Sequence, residues 1–434
     1  MTESTLPPQL DFSKPGSFPY ETLRTRMPVI LTKAIDSLHQ HISDNVEDEG
    51  RSEAMASIGR LTKLKYEMQT GKVMRKLDDD GDDVDVWHET LDRMAAQHSE
   101  DAKWWKLPWL FSECYMYRRI REATLLSRML RDVDPFWGSK TSSYHCSETR
   151  IGELAAFVHG TACRMDNNEK AFEILLQFSL WGNKSDLSLM ADFDGSESLD
   201  HMQASTEAHL QELKQHILCD DTAMLWERVS SFKNACVHIV LDNAGIELFS
   251  DLCFAHWLVH TNHAKTVVFH GKAYPWFVSD VTRRDLDWML DQLSETEDSD
   301  ARAHLAALWK QHFAEGVFVY QSDPFWTYPH EFERMPESAP DLYKTLASAD
   351  LIMFKGDLNY RKLVADRMWP ADTPFEKALG PFTPAMLVAL RTLKSDTLAG
   401  VPLARVKQAE ENDPAWNVNG TTAVIQCFRP AAAQ

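Results

Sequence analysis

An α/β fold, with a mostly parallel sheet covered by helices and a large helical region before it, is predicted by three features of the sequence. The first 220 residues carry apolar side chains at helical spacing, with few β-branched runs. After residue 230, short β-rich runs alternate with helical stretches, as in strands joined by crossover helices. The residues just after several of these runs are unusually polar, and sheets of this kind bind ligands beyond the carboxyl ends of their strands.

In the first region, helices are predicted over 21–43, 52–69, 86–97 and 114–133. Asp78, Asp79, Asp80, Gly81, Asp82, Asp83 and Asp85 form an acidic run between two of them. A calcium loop with Gly81 at its sixth position would begin at Lys76 and end at Trp87, neither a carboxylate, so the motif fails and a solvated acidic loop is expected. In the second region, strands are predicted over 237–241, 266–269, 317–320, 351–354, 386–390 and 423–427. Helices are expected over 246–259, from about Thr282 with Asp285 completing a capping box, and over 301–312, 341–348 and 360–366. The resulting architecture is an N-terminal helical domain, 1–220, on a three-layer α/β/α, Rossmann-like unit, 221–434.

Composition narrows the function. The 434 residues are 44% hydrophobic and 25% charged, a globular balance, with 14 Trp and 21 Phe for the core. Lys and Arg number 45 against 65 Asp and Glu, a formal charge of -20. That argues against nucleic acid or an anionic membrane as the main partner, but a metal ion and a few cations can reverse the field within one pocket. Seven widely spaced cysteines without a C-x-x-C pair fit a reducing compartment. With no segment of roughly 18 uninterrupted apolar residues and no leader-like N-terminus, a cytoplasmic setting is expected, with nuclear entry by diffusion.

Four strand ends hold the candidate chemistry. After the run 237–241 come Asp242 and Asn243, then Gly245, which permits a tight turn into a helix. Two oxygen donors beside a helix N-terminus suit a hard cation with a bound phosphate, although Asp or Asn there is also the common helix cap. Asp280 occupies a similar place before the helix at Thr282. The apolar strand 351–354 leads into Lys355, Gly356, Asp357, Asn359 and Arg361. The fourth end presents Arg391 and Lys394, two cations able to neutralise a phosphate. Carboxylates from two strands and cations from two others would meet over one sheet edge, as phosphoryl transfer requires.

The segments Thr22-Leu23-Arg24-Thr25-Arg26-Met27-Pro28 and Leu180-Trp181-Gly182-Asn183-Lys184-Ser185-Asp186-Leu187-Ser188, the four strand ends, and the element Arg391-Thr392-x-Lys394 resemble the damage-control phosphatase family. The similar branch is its eukaryotic sugar-phosphate phosphatase, also named acidic residue methyltransferase, and the resemblance covers nearly the whole chain. It implies Asp242, Asn243 and Asp280 as ligands of a divalent metal, Mn2+ or Ni2+, with Co2+ or Mg2+ as further options. It implies Asp242, Asn243, Asp357, Leu358, Asn359, Tyr360, Arg361 and Lys394 as contacts to a small sugar phosphate such as fructose 1-phosphate or fructose 6-phosphate. Lys394 and Arg361 would meet the phosphate; Asp357 and Asn359 would meet sugar hydroxyls or reach the phosphate through backbone. Asp242 is open to two roles, nucleophile or orienter of water.

The alternative is a methyltransferase that uses S-adenosylmethionine to esterify protein carboxylates, with Glu247 and Asp280 at the methyl donor. The lack of a glycine-rich nucleotide loop weakens it, and intact carboxylates and cations weigh against a non-catalytic scaffold. His256 and His260 share a helix face at zinc-compatible spacing, but without the Glu of an H-E-x-x-H motif they are read as packing or surface histidines. The 181–186 segment reads as a helix end and new cap, or as part of a lid. No G-x-S-x-G elbow, Walker loop or G-x-G-x-x-G fingerprint occurs.

Overall fold

The computed structural model describes residues 6–98, 102–165, 168–182, 211–297 and 300–430. The proposed lid segment lies largely outside them. Helices of eight or more residues are, before the sheet, α1 (Met27–Asn45), α2 (Asp48–Gln69), α3 (Val84–His98), α4 (Trp109–Leu125), α5 (Trp137–His145), α6 (Glu148–Gly160) and α7 (Asn168–Trp181). Then follow β1 (Ile217–Asp220), α8 (Thr222–Val229), β2 (Ala235–Val240), α9 (Ile246–His260), β3 (Ala264–His270), α10 (Arg283–Ser294), α11 (Ala301–Glu315), β4 (Phe318–Gln321), α12 (Pro340–Ala347), β5 (Leu351–Lys355), α13 (Gly356–Leu363), β6 (Leu387–Thr392), α14 (Leu403–Asn412) and β7 (Ala423–Phe428).

The seven strands form one sheet in the order β1-β7-β6-β5-β2-β3-β4. Five of them, β6 to β4 across the sheet, run parallel. β7 is antiparallel to β6 and parallel to β1, so the last two positions run the other way. The parallel strands therefore deliver the chain after β2, β3, β5 and β6 to the same edge, where the four polar ends were expected to meet. β1 is too short and mixed, Ile217-Leu218-Cys219-Asp220, to stand out as an apolar run, and sequence patterning does not find it.

Side-chain alternation separates two cores. Val237, Ile239, Met353, Val388 and Ile425 point to one face, packed with α6, α7, α9, α10 and α11. Val240, Ile352, Phe354, Leu387, Ala389 and Val424 point to the other, against Trp326, Phe332 and Phe382. This is the period-two pattern of strands buried on both sides. A third core, built from Leu23, Leu31, Trp87, Trp109 and Tyr115, lies among the early helices, and Trp276 and Leu358 reach into it from the sheet edge.

The capping box at Thr282 and Asp285 forms as expected. The acidic run differs from the solvated loop expected of it. Asp79 and Asp83 both clamp the buried Arg118 guanidinium, at 2.7 Å each, and only neighbours such as Asp78, Asp80 and Asp82 face solvent. No helix among the described residues is long and apolar enough to cross a membrane.

Candidate active site

Each functional group is aimed by the turn that follows its strand. Beyond β2 the chain passes through Asp242 and Asn243 and turns into α9 at Gly245, whose φ of 78° admits glycine readily. Beyond β3, Phe277 (φ 43°) and Val278 (φ 70°) adopt left-handed conformations just before Ser279 and Asp280. A β-branched residue there is strained by about 1–3 kcal/mol. Packing holds it in place: Phe277 stacks on Tyr117 of α4 at 4.5 Å, and Trp276 is buried in the early-helix core. Backbone bonds then lace the two turns together, Ala244 N–H to Ser279 O at 2.7 Å and Val281 N–H to Asp242 O at 2.9 Å.

The carboxylates converge on this seam. Asn243 donates through Nδ2 to Asp242 Oδ2 at 2.6 Å and to Glu247 Oε2 at 2.8 Å, while its Oδ1 accepts from Ser279 Oγ at 2.5 Å. Asp280 is 2% exposed; Lys272 Nζ lies 3.1 Å from its Oδ2, yet that oxygen has no well-aligned hydrogen-bond donor among the described residues. Burial raises the Asp242 carboxyl well above the usual range, and Glu247 and Asp280 push it further, against a partial offset from Lys394 and Lys272. Burial likewise raises Asp280, with Lys272 and Lys140 opposing. A buried acid, Asp280, and a half-buried one, Asp242, both raised towards the neutral form, make a donor set that a hard divalent cation would complete.

The cation side comes from β5 and β6. Gly356 (φ 82°) starts α13, and a Cβ there would collide with the Asp242 carboxylate, so glycine is what lets the two strand ends touch. Asp357 accepts at Oδ1 from Arg391 Nε (2.8 Å), Lys394 N–H (3.0 Å) and Ser395 Oγ (3.1 Å). Burial would raise its carboxyl, but Arg391 and Arg361 outweigh that and hold it low. Arg361 is saturated by Asp366 (2.9 Å) and Glu113 (2.7 Å) and lies flat over Trp109 at 3.7 Å. The Lys394 ammonium, by contrast, has no hydrogen-bond or ion-pair partner among the described residues.

The resulting cleft is small, about 120 Å³, below the roughly 300–1,000 Å³ of drug-sized ligand sites. Asp242, Asn243, Asp280, Asp357, Leu358, Arg361 and Lys394 line it. The side chains of Asn359 and Tyr360 do not: Asn359 Nδ2 donates to Lys355 O at 2.7 Å, and Tyr360 OH lies 3.3 Å from Ala399 O. α13 begins at Gly356 rather than at 360, and on a helix positions 357, 358 and 361 share a face that 359 and 360 leave. Glu247 is also turned away, 3.2 Å from Lys355. Arg391, expected to face a phosphate, is fully buried and braces Ser395 and Thr397 instead. Arg26, Trp109, Glu113, Phe277 and Ser279 also line the cleft and were not singled out from sequence. Arg26 sits in the Thr22–Pro28 segment, whose two arginines ahead of a helix were its one visible signal.

The model described as damage-control phosphatase ARMT1-like domain matches residues 22–409. "Damage-control phosphatase ARMT1" of Danio rerio is 40% identical over 452 aligned positions, covering 100% of this chain and 99% of the relative. Its namesake in Homo sapiens is 38% identical over 445, covering 98% and 100%. A crystal structure of a DUF89 family protein from Pyrococcus horikoshii superposes with a TM-score of 0.44 at 15% identity, over 95% of this chain and 98% of that one.

Proposed function

The chain belongs to the damage-control phosphatase family with an ARMT1-like domain, and from that premise we propose that it is a metal-dependent phosphomonoester hydrolase of small sugar phosphates such as fructose 1-phosphate and fructose 6-phosphate. The observation that carries this reading is the seam itself. Asp242, Asn243 and Asp280 gather oxygen donors in one cleft, which the first turn of α13 and Lys394 also line.

Asp242, Asn243 and Asp280 would hold a divalent cation, Mn2+ or Ni2+ foremost, whose charge would polarise the phosphate. The chain's own groups do the rest. The backbone N–H groups in the first turn of α13, those of Asp357 and Leu358, would receive an anion as helix N-termini do. Asn359 ties the two strand ends together, its Nδ2 donating to Lys355 O and lying 3.3 Å from Leu241 O. Lys394 supplies the charge that balances the phosphoryl oxygens, and Asp357 positions it through the Lys394 N–H. Arg26 adds a second cation from the early helices. Arg361, already paired with Asp366 and Glu113, sets the Trp109 wall more than it neutralises phosphate. Leu358, Phe277 and Trp109 restrict water around the scissile bond. The methyl-donor alternative would need Glu247 at the ligand, where Lys355 and Asn243 now occupy it.

The test is phosphate release from fructose 1-phosphate by metal-stripped protein, with and without Mn2+, beside Asp242→Ala. Release should depend on metal and fall at least about 10²–10³-fold in the variant. No release with any divalent metal or sugar phosphate, from protein shown to be folded, would overturn the reading.

A further inference from the structure

The far end of α9 carries a second constellation. His256 and His260 stand one turn apart on it, and the 3-10 turn Ala162–Arg164, which follows α6, brings Cys163 beside them. One ligand atom from each of the three lies within 4.8 Å of the others. His256 is 6% exposed, and its Nδ1 is buried with no hydrogen-bond partner among the described residues. Cys163 is half-buried and His260 exposed, so the cluster opens to solvent on one side. An unsatisfied buried ring nitrogen costs about 1–3 kcal/mol, which ligation would recover.

We propose that Cys163, His256 and His260 form a second metal site that takes a borderline-soft divalent ion, zinc foremost, with water completing the fourth position. One sulfur and two imidazoles select zinc over the magnesium and manganese that oxygen donors favour. Tetrahedral zinc sets such ligands roughly 3.3–3.6 Å apart, a closure within reach of the exposed His260 side chain. α9 has 15 residues, so at 1.5 Å per residue about 20 Å separates this cluster from the seam at Asp242.

The surroundings keep the nitrogens ready. Burial, then His260, His312, His159 and His304, push the His256 imidazole down to about 3, so it stays neutral at working pH. His159 and His304 face each other with ring centres 4.4 Å apart, and His312 lies 6.2 Å from His256. Burial raises the Cys163 thiol to about 11 despite the nearby Arg164. On ligation the Sγ–H bond breaks, an Sγ–metal bond forms and one proton passes to solvent.

Cobalt titration of the metal-stripped, full-length protein tests this independently of the proposed phosphatase activity, because the seam contains no sulfur. One equivalent of Co2+ should produce a thiolate-to-cobalt charge-transfer band that Zn2+ removes stoichiometrically. The band should persist in Asp242→Ala, vanish in Cys163→Ser, and require at least tenfold more Co2+ in His260→Ala, whose exposed position spares the fold. No band in folded protein, or a band that survives Cys163→Ser, would overturn the site.

Discussion

The two ends of α9 carry opposite donor chemistry. At its N-terminus Asp242, Asn243 and Asp280 gather oxygens at a strand edge; at its C-terminus His256, His260 and Cys163 gather nitrogen and sulfur on a solvent-facing side. The first group is built by topology. Parallel strands bring their ends together, and glycines at 245 and 356 let the turns close. The second is built by a short turn from an earlier helix that happens to pass the last turn of α9.

The sharpest way to break this contrast is to damage one end and measure both. Lys394→Ala should lower kcat for sugar-phosphate hydrolysis about 10²–10³-fold while the cobalt band at the other end keeps its intensity and stoichiometry. Coupled losses would mean that the two ends are not independent. Gly356→Ala should come next. Its methyl displaces the Asp242 carboxylate, and a misplacement near 1 Å costs about 10²-fold in turnover; near-normal activity would mean that Asp242 can move without consequence. The smallest effect belongs to His260→Ala. In the presence of chelator its unfolding free energy should stay within about 0.5 kcal/mol of the parent, checked by urea titration. A larger loss would give that imidazole a packing role instead.

The same contrast explains what could be read from sequence. The strands 237–241, 351–354, 386–390 and 423–427 announce themselves by apolar runs, and Asp242, Asn243, Asp280 and Lys394 by position after such runs. The direction of individual side chains was less legible. Residues 357–361 read as one polar patch, but a helix starting at Gly356 divides them between cleft and core, and only the phase of that helix decides which is which. Arg391 resembled a second phosphate cation because sequence shows charge without burial; its guanidinium in fact stacks on Tyr360 at 4.1 Å and holds Asp357. Cys163 could not be linked to His256 at all, since no local spacing records a contact across so much intervening chain.

The antiparallel β7 has a bearing on how the molecule comes to be made. Among the described residues β1 pairs only with β7, and β7 also closes the flank of β6. During synthesis, therefore, β1 waits through about two hundred residues of translation for its neighbour, and contacts between such distant segments form late because the intervening chain must first be closed into a loop. Until then the β6 edge, with Arg391 and the segment leading to Lys394, lacks the strand that supports it. A nascent chain thus presents an open sheet margin, the kind of edge on which other strands pair, and the turn that carries Lys394 is fixed only when the last strand zips into place.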